Sequence, residues 1–357
     1  MFKPCRRYLA EVNVEELATI NMENPLYYYI IDHSRQHVPT AELFREELPK
    51  IGRLVSVPFD LEGNALSEDD GELLDQLVES NDVDAIPLRK PKEKFIKNLV
   101  GTLKENHARH REYLSEEHHI IRNLVPFIDA TMDLPGSRPY RVDWGENTLH
   151  ACSERRNQNR DPQLRSRLGM KCDCRMVCTT ASWKAEIGVG EVSGGLPECG
   201  HVKSWRDKVK LALELRDMLI HIHRQAGFEV PVFGWQLQGF QLKVYAMSSF
   251  MGLFHLQLVH ETDLPSGADD LALVENGIQV FRAYNQKMEE IAKLIRELVK
   301  DKCKASRKRK ANAVNPNMQS SVSPVPNELT VVSTPLGPKK RHVHEHIDDE
   351  CDSPSFD

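Results

Sequence analysis

The stretch MKCDCRMVCTTASWKAEIGVGEVSGG, residues 170–195, decides the fold predicted for this chain. It contains two runs with the character of β-strands, residues 170–178 and 183–194, joined by the short turn TTAS. Two strand-like runs separated by a short turn predict a β-hairpin. The first strand carries Asp173 and the second carries Glu191, so we expect the two carboxylates on neighbouring strands.

The segments on either side of this hairpin predict a sheet with helices around it. Apolar residues recur at helical spacing before it, from Lys92 onward, and after it, from Val202 to Ala226. Further strand-like runs are YRVDW before the hairpin and VPVFGWQLQ, FQLKVYAM and MGLFHLQLVH after the second helical region. The prediction is an α/β (α+β) fold with a mixed central sheet flanked by helices.

Composition along the chain predicts three parts. Residues 1–90 mix short apolar runs with acidic loops, which indicates a small N-terminal α/β lobe. Residues 91–302 form the main body and end in a long helix, whose apolar stripe over 278–299 is expected to pack on the chain's own sheet. A homodimer through this helix is the alternative. Residues 303–357 have almost no aromatic side chains, which predicts a disordered basic tail.

Charge and hydropathy limit the partners that the chain can have. Its 357 residues carry a formal net charge of −6, which argues against attraction of the whole protein to nucleic acid or to an anionic membrane. The most apolar stretch, residues 232–259, is interrupted by Gln, Lys and Ser too often for a bilayer span. The first residues, MFKPCRRY, lack the order of a signal peptide. We expect an intracellular protein with no membrane partner and only local contacts to nucleic acid.

A local contact of this kind is expected in residues 147–169, which are rich in Arg, Asn and Gln and poor in apolar residues. Such a composition predicts an exposed loop, and guanidinium groups bind phosphates in a bidentate manner. The candidate phosphate-binding residues are Arg155, Arg156, Arg160, Arg165 and Arg167. A basic loop that is only solvated is the alternative.

The eight cysteines are irregularly spaced, and the sequence lacks a secretory signal, so we expect reduced thiols. Cys172, Cys174 and Cys178 share parity and would point to one face of a strand as small buried residues. The alternative is a zinc site that also recruits Cys199 and His201.

The tail contains two basic clusters, KASRKRK (304–310) and GPKKRH (337–342). Short exposed runs of cations match the acidic grooves of nuclear import receptors. The residues predicted to act as nuclear localisation signals are Lys304, Arg307, Lys308, Arg309, Lys310, Lys339, Lys340 and Arg341. They predict an import receptor as partner and the nucleus as location, with a plain solvated charge run as the alternative.

The order of helix, three strands, helix and strand over roughly residues 115–260 resembles the core of the PD-(D/E)XK superfamily, the restriction-endonuclease-like fold. The phrases WGEN, RLGMKCD, GVGEVSGG and FGWQLQGFQLKVY are similar to those of a group of uncharacterised fungal proteins, and related cores occur in crinkler-type proteins. The resemblance implies a metal site built from one acid on a strand and a Glu-x-Lys on the next strand.

The residues themselves are compatible with such a metal site. Two carboxylates, Asp173 and Glu191, together with the carbonyl of Val192, offer the oxygen ligands that Mg²⁺ prefers. A bound Mg²⁺ would polarise a phosphoryl oxygen and activate water. The alternative is that Asp173 is an ordinary strand-edge residue and Glu191 is exposed beside a glycine-rich turn.

The lysine that the family pattern requires is replaced here by Ser193. We expect Lys208 to substitute for it, because Lys208 heads the apolar stripe of the following helix, whereas Lys210 falls on a polar stripe that predicts a solvated face. Since Ser193 carries no charge, the sequence favours a nuclear interaction module for nucleic acid or protein that kept the nuclease-like fold without catalysis. The alternative is an active Mg²⁺-dependent nuclease that hydrolyses DNA with Asp173, Glu191 and Lys208, and with Ser193 orienting water.

Overall fold

The computed structural model describes residues 24–108, 113–132, 138–161, 163–197 and 200–311, and of residues 107–108 and 302–311 it describes the backbone alone. At its centre lies one mixed sheet of seven strands in the order β1-β7-β6-β5-β4-β3-β2. The strands are β1 Ile30–Asp32, β2 Tyr140–Thr148, β3 Lys171–Cys178, β4 Glu186–Val192, β5 Val232–Gln238, β6 Gln241–Phe250 and β7 Leu253–Asp263. The predicted mixed sheet is confirmed, and so is the predicted hairpin of β3 and β4.

Helices lie on both faces of this sheet. They are α1 Val38–Phe44, α2 Glu47–Leu54, α3 Glu68–Glu79, α4 Glu93–Ala108, α5 Glu116–His119, α6 Val125–Thr131, α7 His150–Asn157, α8 His201–Ala226 and α9 Val274–Ala311. A five-residue π-helical segment, Ile120–Leu124, joins α5 to α6. Among the described residues, no helix combines the length and apolar composition that crossing a bilayer requires.

The strand directions divide the sheet into two parts. Strands β2, β3 and β4 form an antiparallel meander, and α8 then carries the chain to β5, which pairs parallel to β4. Strands β5, β6 and β7 form a second antiparallel meander. Strand β1 pairs parallel to β7 and is the edge strand on that side of the sheet. The parallel pair β4 and β5 therefore joins the two meanders, and α8 is the crossover helix between them.

Helices α8 and α9 cover opposite faces of the central strands. A side chain at Gly234 would meet Leu211 and Leu215 of α8, whereas one at Gly188 would meet Met288 and Tyr284 of α9. Because side chains alternate between the faces of a strand, Val189 and Glu191 of β4 point toward α8. The sheet thus directs Glu191 to the helix that follows it in sequence.

The N-terminal segment and the long helix α9 are both connected to the central sheet. Strand β1 belongs to the same sheet as the core, so the lobe expected over residues 1–90 shares its strand with the main body. The stripe of α9 lies in the chain's own core, where Ile278, Phe281 and Ile295 are buried. Helix α9 continues to Ala311, past the boundary expected at residue 302.

The structure describes no side chain of the eight predicted localisation residues. The first cluster, Lys304, Arg307, Lys308, Arg309 and Lys310, lies in the last turns of α9, where only the backbone is described. The second cluster, Lys339, Lys340 and Arg341, lies outside the described residues.

Candidate functional site

The two predicted metal ligands lie on the paired strands β3 and β4. The register between these strands runs as far as Cys174 opposite Gly190, and Asp173 and Glu191 are the next residue on each strand. The Asp173 carboxylate lies close enough to Glu191 to raise the pKa of that group. The backbone N–H of Val192 donates to Oδ2 of Asp173 at 2.7 Å, which holds the Asp173 carboxylate beside β4.

Lysine 210 of α8 completes this arrangement. Its Nζ donates to Oε2 of Glu191 at 2.7 Å. Glu214 lies one helical turn after Lys210 and interacts with both Lys210 and Glu191. We call Asp173, Glu191, Lys210 and Glu214 the acid–lysine cluster.

The acid–lysine cluster contains more carboxylates than cations. Oε1 of Glu191 and both oxygens of Glu214 are buried and accept no hydrogen bond from a donor among the described residues. Glu191 and Glu214 nevertheless lie within hydrogen-bonding reach of each other. Two ionised carboxylates have no proton to share, so this contact requires a proton on one of them or a cation nearby.

The pKa values in the cluster reflect this imbalance. Burial raises the pKa of Glu191 well above its ordinary value, and the neighbouring Glu214 raises it further. Burial also raises the pKa of Glu214 to about 8, although Lys210 opposes the shift. The pKa of Asp173 is raised by burial, against the lowering effects of the Val192 N–H and Lys210. Burial lowers the pKa of Lys210, but Glu214 and Glu191 outweigh it and raise that pKa overall, so Lys210 stays charged at neutral pH.

The outer side of the cluster is polar and reached by solvent. The Lys210 side chain is 31% exposed, and Asp173 is half-buried. Glu116 of α5 accepts from the backbone N–H of Gly194 and from Nζ of Lys203, each at 2.8 Å. The cluster therefore opens between α5, the end of β4 and the first turns of α8.

Ser193, the residue expected to orient water, follows β4 directly and is closed off from solvent. It is fully buried, and its Oγ accepts a hydrogen bond from Nε2 of Gln236 at 2.8 Å. Gln236 also donates to the backbone carbonyl of Ser204 in α8. Ser193 thus forms part of a buried link between β4, β5 and α8.

Lysine 208, the substitute expected from the sequence, does not lie in the acid–lysine cluster. Its Nζ donates to Oδ2 of Asp32 at 2.7 Å, Oγ of Ser34 at 2.5 Å and Oε1 of Gln36 at 2.8 Å. These partners belong to β1 and the loop after it, at the other edge of the sheet. The structure brings Asp173 and Glu191 together with Lys210 instead.

The polar stripe of α8 was expected to be solvated, and this expectation is wrong. Glu214, Asp217 and His221 are all buried, with exposures of 3% or less. The cause is helix α7, which packs on this side of α8 and pairs Arg155 with Asp217 at 2.6 Å. Because α8 lies between the sheet and α7, both its apolar stripe and its polar stripe are covered.

Helix α7 also includes the first part of the arginine-rich segment, which was expected to be an exposed loop. Residues 150–157 form α7 rather than an exposed loop, and Arg155 is buried in its pair with Asp217. Arg156 donates to the carbonyl of Leu168. Arg165 and Arg167 are exposed and remain available for phosphate contacts, while Arg160 is half-buried.

The three cysteines of β3 lie in the core. Cys172, Cys174 and Cys178 are free thiols with exposures of 2% or less, as the parity of the strand predicts. Burial raises the pKa of Cys172 and of Cys174, so both remain protonated. Cys199, which the zinc alternative requires, lies outside the described residues.

Comparison with known proteins found no match to this chain, whether among protein-family models, curated proteins or solved structures.

Proposed function

We propose that this protein is a nuclear, Mg²⁺-dependent nuclease with a restriction-endonuclease-like core, and that the acid–lysine cluster is its hydrolytic centre. One observation carries the proposal: three carboxylates, those of Asp173, Glu191 and Glu214, all interact with Lys210, and only Lys203 adds a further cation beside Asp173 among the described residues. Buried carboxylates without a counter-charge are costly. A divalent cation with a preference for oxygen ligands would remove that cost.

The chain order around the cluster supports the same proposal. Helices α5 and α6, the meander of β2 to β4, helix α8 and the parallel strand β5 follow one another in the order that the superfamily core has. The two acids lie on the second and third strands of this unit, and the lysine lies on its second helix. Relative to the superfamily pattern, the lysine lies on the helix that follows the Glu191 strand, and helix α7 lies between β2 and β3.

The cluster fits Mg²⁺ because it has carboxylate oxygens without hydrogen-bond donors. Asp173 and Glu191 would hold the ion with water completing its shell, and the ion would supply a polarised phosphoryl oxygen and a more acidic water. Lys210 keeps its proton, since its pKa is raised, so its role is to stabilise negative charge on the phosphate rather than to accept a proton. Exposed Arg165 and Arg167 are the candidates for holding the DNA backbone.

Nuclear location belongs to the proposal through the basic clusters at residues 304–310 and 337–342. Substituting the eight lysines and arginines of these clusters with alanine is expected to leave the folded body unchanged and to abolish nuclear accumulation of a fluorescent fusion. Accumulation equal to that of the unsubstituted chain would contradict the nuclear assignment.

A second candidate function, an interaction module without catalysis, is favoured by the burial of Glu191. Glu191 is only 2% exposed, and Lys210 lies between it and solvent. A buried Glu–Lys pair of this kind also occurs where its role is to hold a helix on a sheet. This candidate predicts binding of DNA or a protein partner that does not depend on Mg²⁺.

A cleavage assay with the full chain separates the two candidates. Purified protein is incubated with linear and supercoiled DNA in Mg²⁺, in Mn²⁺ and in EDTA, and Asp173→Ala is compared with Asp263→Asn, a substitution of an exposed acid at the end of β7. We expect metal-dependent cleavage that Asp173→Ala lowers about 100-fold or more and Asp263→Asn leaves unchanged. Metal-dependent cleavage unaffected by Asp173→Ala would overturn the site. DNA binding without any cleavage would favour the interaction module.

A further inference from the structure

A second cluster of ligand-type side chains lies between α7 and α8, away from the acid–lysine cluster. His150 and Glu154 occupy positions i and i+4 of α7 and therefore share one face of that helix. His221 of α8 faces them. One nitrogen from each histidine and one oxygen from Glu154 all lie within 4.8 Å of one another.

The distances within this cluster suit a shared ion. Nε2 of His150 is 3.2 Å from Oε1 of Glu154, and Nδ1 of His221 is 2.8 Å from Oε2 of the same carboxylate. Ligands about 2.0–2.1 Å from a tetrahedral zinc ion lie roughly 3.3 Å from each other. The two histidine–glutamate distances are therefore close to that spacing before any ion is added, and the two histidine nitrogens lie within 4.8 Å of each other.

His221 supplies a second and independent indication. It is only 3% exposed, and neither of its ring nitrogens has a hydrogen-bond partner among the described residues. Its closest polar contact is an ion-pair distance of 2.8 Å from Nδ1 to Oε2 of Glu154. A buried imidazole without a proper partner is costly, and an ion between His221 and Glu154 would satisfy it.

Other contacts hold the two helices in place independently of an ion. Both carboxylate oxygens of Glu186 accept backbone N–H groups at the start of α7, from His150 at 2.7 Å and Ala151 at 2.9 Å. Arg155 of α7 pairs with Asp217 of α8 at 2.6 Å. The ligands are thus positioned by the fold, which lowers the entropic cost of binding an ion.

The ligand types select the kind of ion. Two imidazole nitrogens with one carboxylate oxygen suit Zn²⁺ and neighbouring transition metals, whereas Mg²⁺ and Ca²⁺ prefer oxygen ligands alone. The side chains of His150 and Glu154 are 44% and 37% exposed, so the cluster is open to solvent on one side. Three protein ligands with one open side leave a coordination position for water or another small ligand.

We propose that His150, Glu154 and His221 form a binding site for Zn²⁺ or a similar transition-metal ion, which links α7 to α8. The site is separate from the proposed Mg²⁺ centre in its residues and in its ligand chemistry. Its occupancy stabilises the packing of α7 on α8, since an ion that binds the folded state alone raises the free energy of unfolding.

Calorimetric titration of the metal-free full chain with Zn²⁺, and the visible absorption of bound Co²⁺, test the site. Glu154→Gln and His150→Asn change partly exposed ligands, and His223→Asn on α8 is the matched control. The triple substitution of His342, His344 and His346 with Asn removes the tail histidines as competing ligands. We expect a one-to-one site whose affinity falls at least tenfold in Glu154→Gln and His150→Asn, and is unchanged in the two histidine controls and in Asp173→Asn.

The melting temperature provides a second readout. Zn²⁺ should raise it in the wild-type chain and in His223→Asn, but not in Glu154→Gln. Affinity that is unchanged in both ligand variants, or that is lost with the tail histidines or with Asp173→Asn instead, would overturn the proposal.

Discussion

Two lysines two residues apart on α8, Lys208 and Lys210, occupy different electrostatic settings. Lys208 has one carboxylate partner, Asp32, and two neutral acceptors, Ser34 and Gln36. Lys210 has one direct partner, Glu191, and lies in the field of two more carboxylates, Asp173 and Glu214. The surroundings of Lys208 are balanced in charge and bonded, whereas those of Lys210 carry an excess of negative charge.

Under the proposed function, this difference assigns Lys208 to stability and Lys210 to the hydrolytic centre. A buried ion pair with its hydrogen bonds complete, such as that of Lys208 and Asp32, holds β1 and α8 together. Buried carboxylate oxygens without hydrogen-bond donors among the described residues, such as Oε1 of Glu191 and both oxygens of Glu214, are costly for the fold. Groups of this kind with shifted pKa values are concentrated at functional sites.

The largest expected effect is on stability. Lys208→Met leaves the Asp32 carboxylate buried without its counter-charge, so we expect the free energy of unfolding to fall by about 3–5 kcal/mol. Lys210→Met should cost less, because Lys210 is partly exposed and the carboxylates beside it can take up protons. Urea unfolding at pH 7 measures both losses. The double variant Lys208→Met/Asp32→Leu should recover most of the loss. Equal losses of stability in Lys208→Met and Lys210→Met would contradict the proposed difference between the two lysines.

The next effect is on activity. Lys210→Met removes the positive charge proposed to stabilise the phosphate, so the rate of DNA cleavage should fall about 100-fold. Lys208→Met should keep the wild-type rate per folded molecule, because its contacts are with β1 rather than with the acids. Single-turnover cleavage with saturating protein, corrected for the folded fraction, is the measurement. A loss in Lys208→Met that matched the loss in Lys210→Met would contradict the assignment.

The fold could be predicted from the sequence largely because strand and helix periodicity are local properties. The hairpin of β3 and β4 depends on two short runs and a turn, and it correctly placed Asp173 and Glu191 on neighbouring strands. Strand β1 was harder to place, since nothing local shows that Ile30–Asp32 pairs with β7, more than 200 residues later. Long-range pairings of this kind depend on tertiary packing.

The choice between the two lysines could not be made from periodicity. A helical pattern shows which residues share a face, but it does not show what covers each face. The polar stripe of α8 is buried because α7 packs on it, and α7 comes from a segment whose composition indicates a loop. One sequence signal was available: Lys210 and Glu214 are four residues apart, as paired charges on a helix often are.

The third prediction concerns pH. The pKa of Glu214 is raised from its ordinary value of 4.5 to about 8, so between these values the folded state binds a proton that the unfolded state has lost. Stability should therefore fall as pH rises from about 4.5 to about 8. Glu214→Gln removes this contribution and should be stabilising relative to wild type at pH 8, and less so at pH 5. Unfolding curves across this range are the test, and parallel pH profiles for the two proteins would contradict the account of the acid–lysine cluster.

The smallest expected effect is on DNA binding by the exposed arginines Arg165 and Arg167, compared with the buried Arg155. Arg165→Gln with Arg167→Gln should leave stability unchanged and weaken DNA binding a few-fold, with the slope of log affinity against log salt reduced by about two. Arg155→Gln should do the reverse, because Arg155 is buried against Asp217. Fluorescence anisotropy at several salt concentrations and urea unfolding measure the two effects. A loss of DNA affinity in Arg155→Gln without a loss of stability would contradict this division.

The central claim is that the excess negative charge beside Lys210 holds a divalent cation. Calorimetric titration of the full chain with Mg²⁺ at pH 7.5, repeated in buffers of different ionisation enthalpy, tests it most directly, because Mg²⁺ has little preference for the imidazoles of the second cluster. We expect one bound Mg²⁺ with release of protons, since the pKa values of Glu191 and Glu214 are raised, and we expect loss of binding in Asp173→Asn. Absence of binding, or binding without proton release that survives Asp173→Asn, would contradict it.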